Sequence, residues 1–235
     1  MLALWCCVVA PALGEVAIGN LVFVDSNGNG VADAGEGRAG VTVQLFQEGQ
    51  SPSEATPMRQ VVTDENGFFL FENLVSAWSY FLHVPASEFN SDGALKGLKS
   101  LPGVDGSPGS DDDQGEDGTD AEDAADTGVS SRVLAVVQGS AAVNEPGLGG
   151  NMDDGRDAEV DLTVDFGFYR PMAVGNLIFL DANGNGRADP GEGVNGVQVR
   201  LYRAGKTPGV DAPENETVTG ADGRYLLDDA FPNAD

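Results

Sequence analysis

The chain has 235 residues, with 38 Asp or Glu against 12 Lys or Arg, a formal net charge of −26 and an isoelectric point near 4.1. This length predicts one or two domains, and the charge disfavours nucleic acid and anionic membranes as partners. One histidine, with cysteines only at positions 6 and 7, leaves little material for Ser/His/Asp or Cys/His catalysis. No enzyme activity is predicted.

The chain opens with an apolar stretch of twelve residues, 2–13, which contains both cysteines. Its length is that of a signal-peptide core, but no basic residue precedes it, and it is too short to cross a bilayer. Residues 1–14 are interpreted either as a degraded signal peptide or as part of a longer chain. No membrane insertion is predicted.

Short segments rich in β-branched and aromatic residues follow, and Gly or Asx residues separate them. Residues 16–25 and 40–47 are predicted strands because they are short, apolar or alternating, and bounded by glycine. No segment longer than ten residues has clean helical periodicity, so the sequence predicts an all-β fold, an antiparallel Ig-like β-sandwich. Further strands are predicted at residues 68–71, 76–84, 133–137 and 160–168, with hairpin turns at Asn66-Gly67 and Asp222-Gly223.

Two twelve-residue loops, at residues 25–36 and 181–192, carry oxygen-bearing side chains at loop positions 1, 3, 5, 9 and 12, with glycine at loop position 6. This is the spacing of a calcium loop, because a hard cation takes about six to eight oxygen ligands and a short loop must bend tightly to supply them. The alternative is an Asx-rich turn without metal. The predicted Ca²⁺ ligands are Asp25, Asn27, Asn29, Val31 (carbonyl), Asp33 and Glu36 in the first loop, and Asp181, Asn183, Asn185, Arg187 (carbonyl), Asp189 and Glu192 in the second.

The two loops belong to a tandem repeat. Residues 16–49 align without a gap with residues 172–205, at an offset of 156, and 20 of 34 positions are identical. Such self-similarity indicates an array of modules. The second copy ends within the equivalent of the predicted strand at residues 76–84, which leads us to expect a fragment or a truncated product.

Five separated motifs together resemble the SdrD B-like domain, over about residues 16–170 and again from residue 172. The family binds calcium and occurs in serine-aspartate repeat surface proteins, and it is related to Cna B-like, prealbumin-like sandwiches. The resemblance therefore implies a calcium-binding sandwich in a secreted or cell-surface protein. The motifs are Ile18-Gly-Asn-Leu-Val-Phe23, Gly35-Glu-Gly37, Gly40-Val-Thr-Val-Gln-Leu45, Thr63-Asp-Glu-Asn-Gly-Phe-Phe-Leu-Phe71 and Val164-Asp-Phe-Gly-Phe-Tyr169.

The predicted organisation has three parts: an apolar segment at 1–14, a complete domain at 15–171 with an acidic insertion at about 100–130, and a truncated second domain at 172–235. Some related Cna B-like domains carry an internal lysine-asparagine cross-link. The lysines here, Lys96, Lys99 and Lys206, do not lie on the first strand, where that bond begins. The cross-link is not predicted.

Ten acidic residues and no basic residue lie between positions 105 and 126. This segment is interpreted either as a solvated acidic loop or as one that folds partly over additional calcium, as the resemblance implies. Asp153, Asp154 and Asp157 are weaker candidates of the same kind.

One predicted strand, at residues 76–84, carries the other residues considered for function. Its histidine, His83, is interpreted as a packed residue of a sandwich face or edge. Trp78 and Tyr80 are expected to pack in the core rather than to form a sugar-binding platform, because they alternate with Leu82.

The function predicted from sequence is structural. The chain is expected to be a calcium-binding stalk or spacer of a secreted or cell-surface multidomain protein, with calcium ions and neighbouring repeats as partners. Two alternatives remain open: an adhesin module that binds a matrix protein or a glycan, and an accessory domain of an extracellular hydrolase.

Overall fold

A computed structural model describes residues 15–101, 117–119, 124–143, 148–149 and 156–232. Strands dominate these residues, and their one α-helix, α1, is a single turn at Ala124–Thr127. The all-β prediction is confirmed. Residues 1–14, most of the acidic segment at 105–126, and Asp153 and Asp154 lie outside the described residues.

The described strands divide between the two repeats. Those of the first repeat are β1 (Glu15–Asp25), β2 (Thr42–Gln47), β3 (Arg59–Val62), β4 (Phe68–Val75), β5 (Trp78–Val84), β6 (Lys99–Ser100), β7 (Val129–Ser130), β8 (Leu134–Val136), β9 (Val160–Asp161) and β10 (Phe166–Tyr169), with 3-10 turns at Ala86–Phe89 and Asp157–Glu159. Those of the second repeat are β11 (Met172–Leu177), β12 (Gln198–Leu201), β13 (Asn215–Val218) and β14 (Arg224–Ala230).

Strand β1 is the centre of the first sheet, which has the order β4-β1-β10-β6, and β9 also pairs with β1. The strand is buried on both faces, which explains its nearly continuous apolar sequence. It pairs antiparallel with β4 but parallel with β9 and β10, so this sheet is mixed rather than purely antiparallel.

The prediction of one strand over residues 160–168 is wrong, because residues 162–165 interrupt it between β9 and β10. Within that gap the Asp161 carboxylate accepts hydrogen bonds from both the backbone N–H and the hydroxyl of Thr163, at 3.2 and 2.6 Å. Asp165 then turns to the buried side chain of Asn20, whose Nδ2 donates to it at 2.9 Å. These side-chain bonds take the place of most of the ladder that an uninterrupted strand would form, and the N–H of Val164 still donates to the Gly19 oxygen of β1 at 3.3 Å.

The second sheet has the order β3-β2-β5-β7, and β8 also pairs with β5; all of its pairings are antiparallel. Strands β3, β6 and β7 were not predicted from sequence. They are short, with four, two and two residues, so periodicity gives them little signal.

The two sheets face each other across one apolar core, which confirms the sandwich. The first sheet contributes Ile18, Phe71, Phe166 and Phe168, and the second contributes Val43, Leu45, Leu82 and Val84. Burying each such side chain contributes about 1.5 to 3 kcal/mol. The hydroxyl of buried Tyr80 is satisfied by the backbone of Val75, donating to its oxygen at 3.2 Å and accepting from its nitrogen at 3.1 Å.

The turn at Asn66 and Gly67 is tight, but it is not a hairpin between paired strands. It connects β3 of the second sheet with β4 of the first. The Asp64 carboxylate organises the turn by accepting the N–H groups of Asn66 and Phe68, at 2.8 and 3.0 Å. The equivalent turn at Asp222 and Gly223 likewise connects two different sheets, through β13 and β14.

The second repeat reproduces the register of the first. In β1 and β4, Ile18 pairs with Phe71, and in β11 and β14, Val174 pairs with Leu227 at the same offset of 156. Burial differs, since Ile18 is 0% exposed and Val174 is 44% exposed. In the first repeat, β5, β7, β8 and β10 help to cover this core, and the described residues of the second repeat include no counterpart of these strands.

Candidate functional site

The first candidate loop begins at the end of β1 and returns to the same strand. Asp25 is the last residue of β1 and is 0% exposed. At the other end of the loop, the Glu36 carbonyl oxygen accepts the N–H of Val24 at 2.9 Å, and Gly37 forms a bridge with Phe23. The sheet therefore holds both ends of the loop.

The Asp25 carboxylate shapes the first half of the loop. Its two oxygens accept the N–H groups of Gly28 and Gly30, at 2.7 and 2.8 Å. Gly30, at position 6, has φ +77°, which a residue without a Cβ adopts at little cost. The glycine predicted to allow the bend therefore has the expected conformation.

The middle of the loop gathers three of the predicted ligand side chains. The same oxygen of Asp33, Oδ2, accepts the side-chain amides of Asn27 at 2.8 Å and Asn29 at 2.9 Å. Backbone N–H groups of the loop hold the amide oxygens, with Asn29 donating to Asn27 and Val31 donating to Asn29, both at 2.9 Å. Residues 27, 29, 31 and 33 are thus linked to one another by hydrogen bonds.

Glu36 joins the end of the loop to its beginning. One carboxylate oxygen accepts the N–H of Ser26 at 2.8 Å, and the other accepts the N–H of Asp33 at 3.0 Å. Glu36, at loop position 12, therefore connects Ser26 at position 2 with Asp33 at position 9.

The second loop repeats this arrangement almost bond for bond. Asp181 accepts the N–H groups of Gly184 and Gly186 at 2.7 and 2.8 Å, and Asp189 accepts the amides of Asn183 and Asn185, both at 2.7 Å. The backbone N–H groups that Asp181 accepts, that of Gly186 above all, lower its pKa below the ordinary value. Arg187 donates its N–H to Asn185 at 2.7 Å, and Glu192 accepts the N–H groups of Ala182 and Asp189 at 3.0 and 2.9 Å.

The donor chemistry of both loops fits a hard cation, since each brings three carboxylates and two amides into one short segment. The side chains are arranged here for mutual hydrogen bonding, and none of the described residues forms a cluster of three or more His, Cys, Asp or Glu side chains with metal-binding geometry. For Asn27 and Asn29 to present oxygen to an ion beside Asp33, their amides would have to rotate, because nitrogen now faces that carboxylate.

Comparison with known families identifies the module. The sequence model of the SdrD B-like domain matches residues 16–145, which is more than half of the chain. The chain belongs to the SdrD B-like domain family. The resemblance inferred from sequence is thereby confirmed. SdrD B-like domains are structural repeats of surface and multidomain proteins rather than enzymes.

Curated relatives of this SdrD B-like chain include three colossins from Dictyostelium discoideum. Colossin-B is 28% identical over 94% of the chain, colossin-A is 25% identical over 91%, and colossin-C is 41% identical over 32%. The chain corresponds to 6%, 2% and 7% of the lengths of these relatives, respectively, so it spans a small part of each.

Two solved structures show distant overall similarity. The Streptococcal ancillary pilin matches 94% of this chain and 52% of its own, with a TM-score of 0.33 and 12% identity. The Bacillus anthracis TIE protein matches 91% of this chain and 26% of its own, with a TM-score of 0.30 and 9% identity. Among the described residues, no helix has the length and apolar character needed to cross a membrane.

Beyond its loops, the SdrD B-like domain buries an acidic residue from the insertion. Asp117 lies beside Arg132, which neutralises it, and accepts the N–H of Asp165 at 3.0 Å. Burial raises the pKa of Asp117, although the guanidinium of Arg132 opposes that shift. This acid has a structural role, while the prediction of further calcium over residues 105–126 falls mostly outside the described residues. Asp157 lies in a 3-10 turn.

The aromatic residues of β5 divide between core and surface. Tyr80 is 1% exposed, as expected, but Trp78 is 41% exposed, so its predicted core position is wrong. Trp78 begins the strand and lies opposite Val136 of β8, near the end of the sheet, where little of the molecule covers it.

His83 is packed against a sandwich face, but sequence reasoning missed the cleft beside it. Its Nδ1 lies 2.8 Å from the Ser130 hydroxyl, and its pKa is lowered to about 4 by burial. A general base near neutral pH works best with a pKa near that pH, so this imidazole is a weak base for activating Ser130. The sequence signal was a single ionisable residue, His83, in the apolar half of this strand.

The two repeats also contact each other next to the first loop. Phe231, just after β14, packs on a cluster that contains Phe23, Tyr169 and Ala32 of the first repeat. Ala32 belongs to the candidate calcium loop. The Lys99 ammonium pairs with Asp229 of the second repeat at 2.9 Å. The contact between repeats and the first loop therefore share an apolar cluster.

Proposed function

We propose that this chain forms part of a calcium-stiffened stalk in a secreted or surface-attached multidomain protein, each loop holding one Ca²⁺. The observation that carries the proposal is the repetition of the loop. Two segments 156 residues apart place the same five side chains in nearly the same hydrogen bonds, although their position-7 residues, Val31 and Arg187, differ completely.

In the mechanism that we propose, carboxylate and amide oxygens of one loop surround the ion and join the end of β1 to the segment that leads into β2. Asp25 and Glu36 already hold the two halves of the loop through backbone N–H groups. The ion would add direct bonds from Asn27, Asn29 and Asp33. The exposed side chains in the middle of the loop would thereby be tied to the ends, which the sheet already holds.

A bound ion would contribute substantially to folding. If the dissociation constant lies a hundredfold below the free calcium concentration, binding adds about 2.7 kcal/mol to the unfolding free energy. A typical domain has a total of about 5 to 15 kcal/mol. With the affinities typical of extracellular modules, about 10⁻⁴ to 10⁻³ M, the loops would hold calcium at the millimolar concentrations outside the cell and lose it in the cytosol, so the proposal includes an extracellular location.

The test is thermal unfolding of the whole chain in millimolar calcium and in excess chelator, for wild type and for Asp33→Ala. Asp33 is the suitable position because its oxygen accepts bonds from exposed amides, which water can replace. Asp25 is less suitable, because its loss leaves two backbone N–H groups without their acceptor even without metal. We expect calcium to raise the first-repeat melting temperature of wild type by several degrees and that of Asp33→Ala much less.

The matched control is Glu54→Ala, which removes an exposed acid outside both loops. It should retain the full response to calcium. An equal response in Asp33→Ala, or no response in wild type, would reduce the loops to hydrogen-bonded turns. The adhesin and accessory-domain alternatives remain predictions that this experiment does not address.

A further inference from the structure

A cleft of about 690 Å³ opens on the side of the second sheet that faces away from the core. Gln44 of β2 and His83 of β5 line it, and their strand neighbours Val43, Leu82 and Val84 point into the core. The volume lies within the range of small-molecule binding sites, about 300 to 1,000 Å³, and far exceeds that needed for a single ion. The cleft is separate from both candidate calcium loops.

The wall of the cleft is built around a buried polar side chain. His83 is 5% exposed, its ring meets Phe46 edge-on at 6.1 Å, and its Nδ1 is bonded to the Ser130 hydroxyl. The backbone of Gly128 approaches so closely that a Cβ there would lie 2.6 Å from the imidazole Cε1 and 2.4 Å from the Val84 oxygen. The imidazole is therefore fixed in orientation.

The lining is polar but carries little charge. Because burial lowers its pKa to about 4, His83 adds no charge to the cleft at neutral pH. Among the described residues that line the cleft, Asp126 is the one with a formal charge, while Pro52, Pro85 and Ala86 offer apolar surface. The other polar side chains are hydroxyls and one amide, from Gln44, Ser51, Ser53, Ser87, Thr119, Thr127 and Ser130.

This combination selects a chemical class of ligand. Hydroxyls and amides that both donate and accept suit a ligand whose own groups do the same, and proline rings can pack against its C–H faces. Anions are disfavoured, because the chain has a net charge of −26 and the cleft contains no described Lys or Arg. The geometry points to a binding site for a neutral saccharide unit, a role beyond that of a stalk.

The test is saturation-transfer difference NMR on the whole chain at pH 7, which detects weak binding. The probes are glucose, galactose, mannose, N-acetylglucosamine and their neutral dimers, with glucuronate as an anionic comparison and a neutral Ser- and Gly-containing peptide as a second class. We expect saturation transfer to at least one neutral sugar and none to glucuronate. Transfer to the peptide alone, or to no probe, would overturn the proposal.

The site is located with a pair of tryptophan variants. Ser87 is exposed at the rim, so Ser87→Trp should fill the cleft without disturbing the core, and we expect it to weaken sugar binding about tenfold or more. Ser140→Trp places the same ring on an exposed position outside the cleft and should bind as wild type does. Equal binding by both variants would mean that the sugar binds elsewhere and the proposal is wrong.

Calcium provides an independent comparison. Sugar binding and thermal unfolding are both measured with calcium and with chelator, because none of the predicted ligands of the two loops lines the cleft. Loss of the calcium response in melting with sugar binding retained would contradict the proposed stalk mechanism alone. The converse result would contradict the saccharide site alone.

Discussion

The ring of Tyr169 in the first repeat meets the ring of Phe231 in the second edge-on, with centroids 4.8 Å apart. The guanidinium of Arg203 also lies over the Phe231 ring, with its Cζ 4.4 Å from the ring centroid. Burial raises the pKa of the Tyr169 hydroxyl, while the ammonium of Lys99 opposes that shift. One aromatic side chain thus lies between the two repeats.

A double-mutant cycle measures this contact. We expect Tyr169→Leu and Phe231→Leu to show a coupling of about 0.5 to 1.5 kcal/mol, the usual value for an edge-to-face aromatic pair beyond its buried area. The measurement is urea unfolding of wild type, both single variants and the double variant. Strictly additive effects would show that the rings do not interact in solution.

Arg132 is expected to stabilise the fold chiefly because it pairs with the buried carboxylate of Asp117. Arg132→Leu leaves a carboxylate without its cation, and breaking such a pair costs about 3 to 5 kcal/mol of unfolding free energy. Adding Asp117→Asn removes the isolated charge and should restore a large part of the loss. If the double variant is no more stable than Arg132→Leu in chemical denaturation, the charge is not the cause.

Two glycines with similar backbone angles should respond differently to alanine. Gly40 and Gly67 both have positive φ, +79° and +90°, so each substitution costs about 1 kcal/mol in backbone strain. At Gly67 a Cβ would also lie 2.4 Å from the Val22 oxygen and 2.6 Å from the Arg38 nitrogen, whereas nothing lies within 4 Å at Gly40. We expect Gly67→Ala to cost clearly more in urea unfolding. Equal costs would contradict this close packing.

His83 should make the fold less stable in mild acid. Its folded pKa of about 4 lies below the ordinary 6.5, so between these values the unfolded chain binds a proton that the folded chain does not. Stability should therefore fall as pH decreases from about 6.5 to 4. Urea unfolding in chelator at pH 7 and pH 4.5 should show a smaller fall in unfolding free energy for His83→Gln than for wild type. Asp126, which lines the same cleft, is kept in both proteins. Parallel profiles for wild type and variant would exclude His83 as the source.

The local features of this fold were predictable because their signals are local. The calcium-loop spacing predicted two equivalent loops, and the identical positions around Asp25 and Asp181 predicted the repeat that the strand register reproduces. Calcium itself remains a prediction. The positive φ of Gly30 also follows from its position in the loop.

The long-range features were not predictable in the same way. Periodicity identifies a strand but not its partner, so the turn at Gly67 was predicted as a hairpin although it connects two sheets. The exposure of Trp78 depends on where β5 begins in the second sheet. The cleft beside His83 requires β2, β5 and the segment around Ser130 to meet, and no local pattern encodes that meeting.

The parallel pairing of β10 with β1 determines how the first repeat would bear tension. Val22 to Asp25 of β1 pair with Phe166 to Tyr169 of β10, and only two residues separate β10 from β11. A pull between the start of β1 and the second repeat acts along two adjacent parallel strands in opposite directions. The hydrogen bonds between them would then be loaded together in shear rather than opened one at a time, so we expect this pairing to be the part of the module that resists extension.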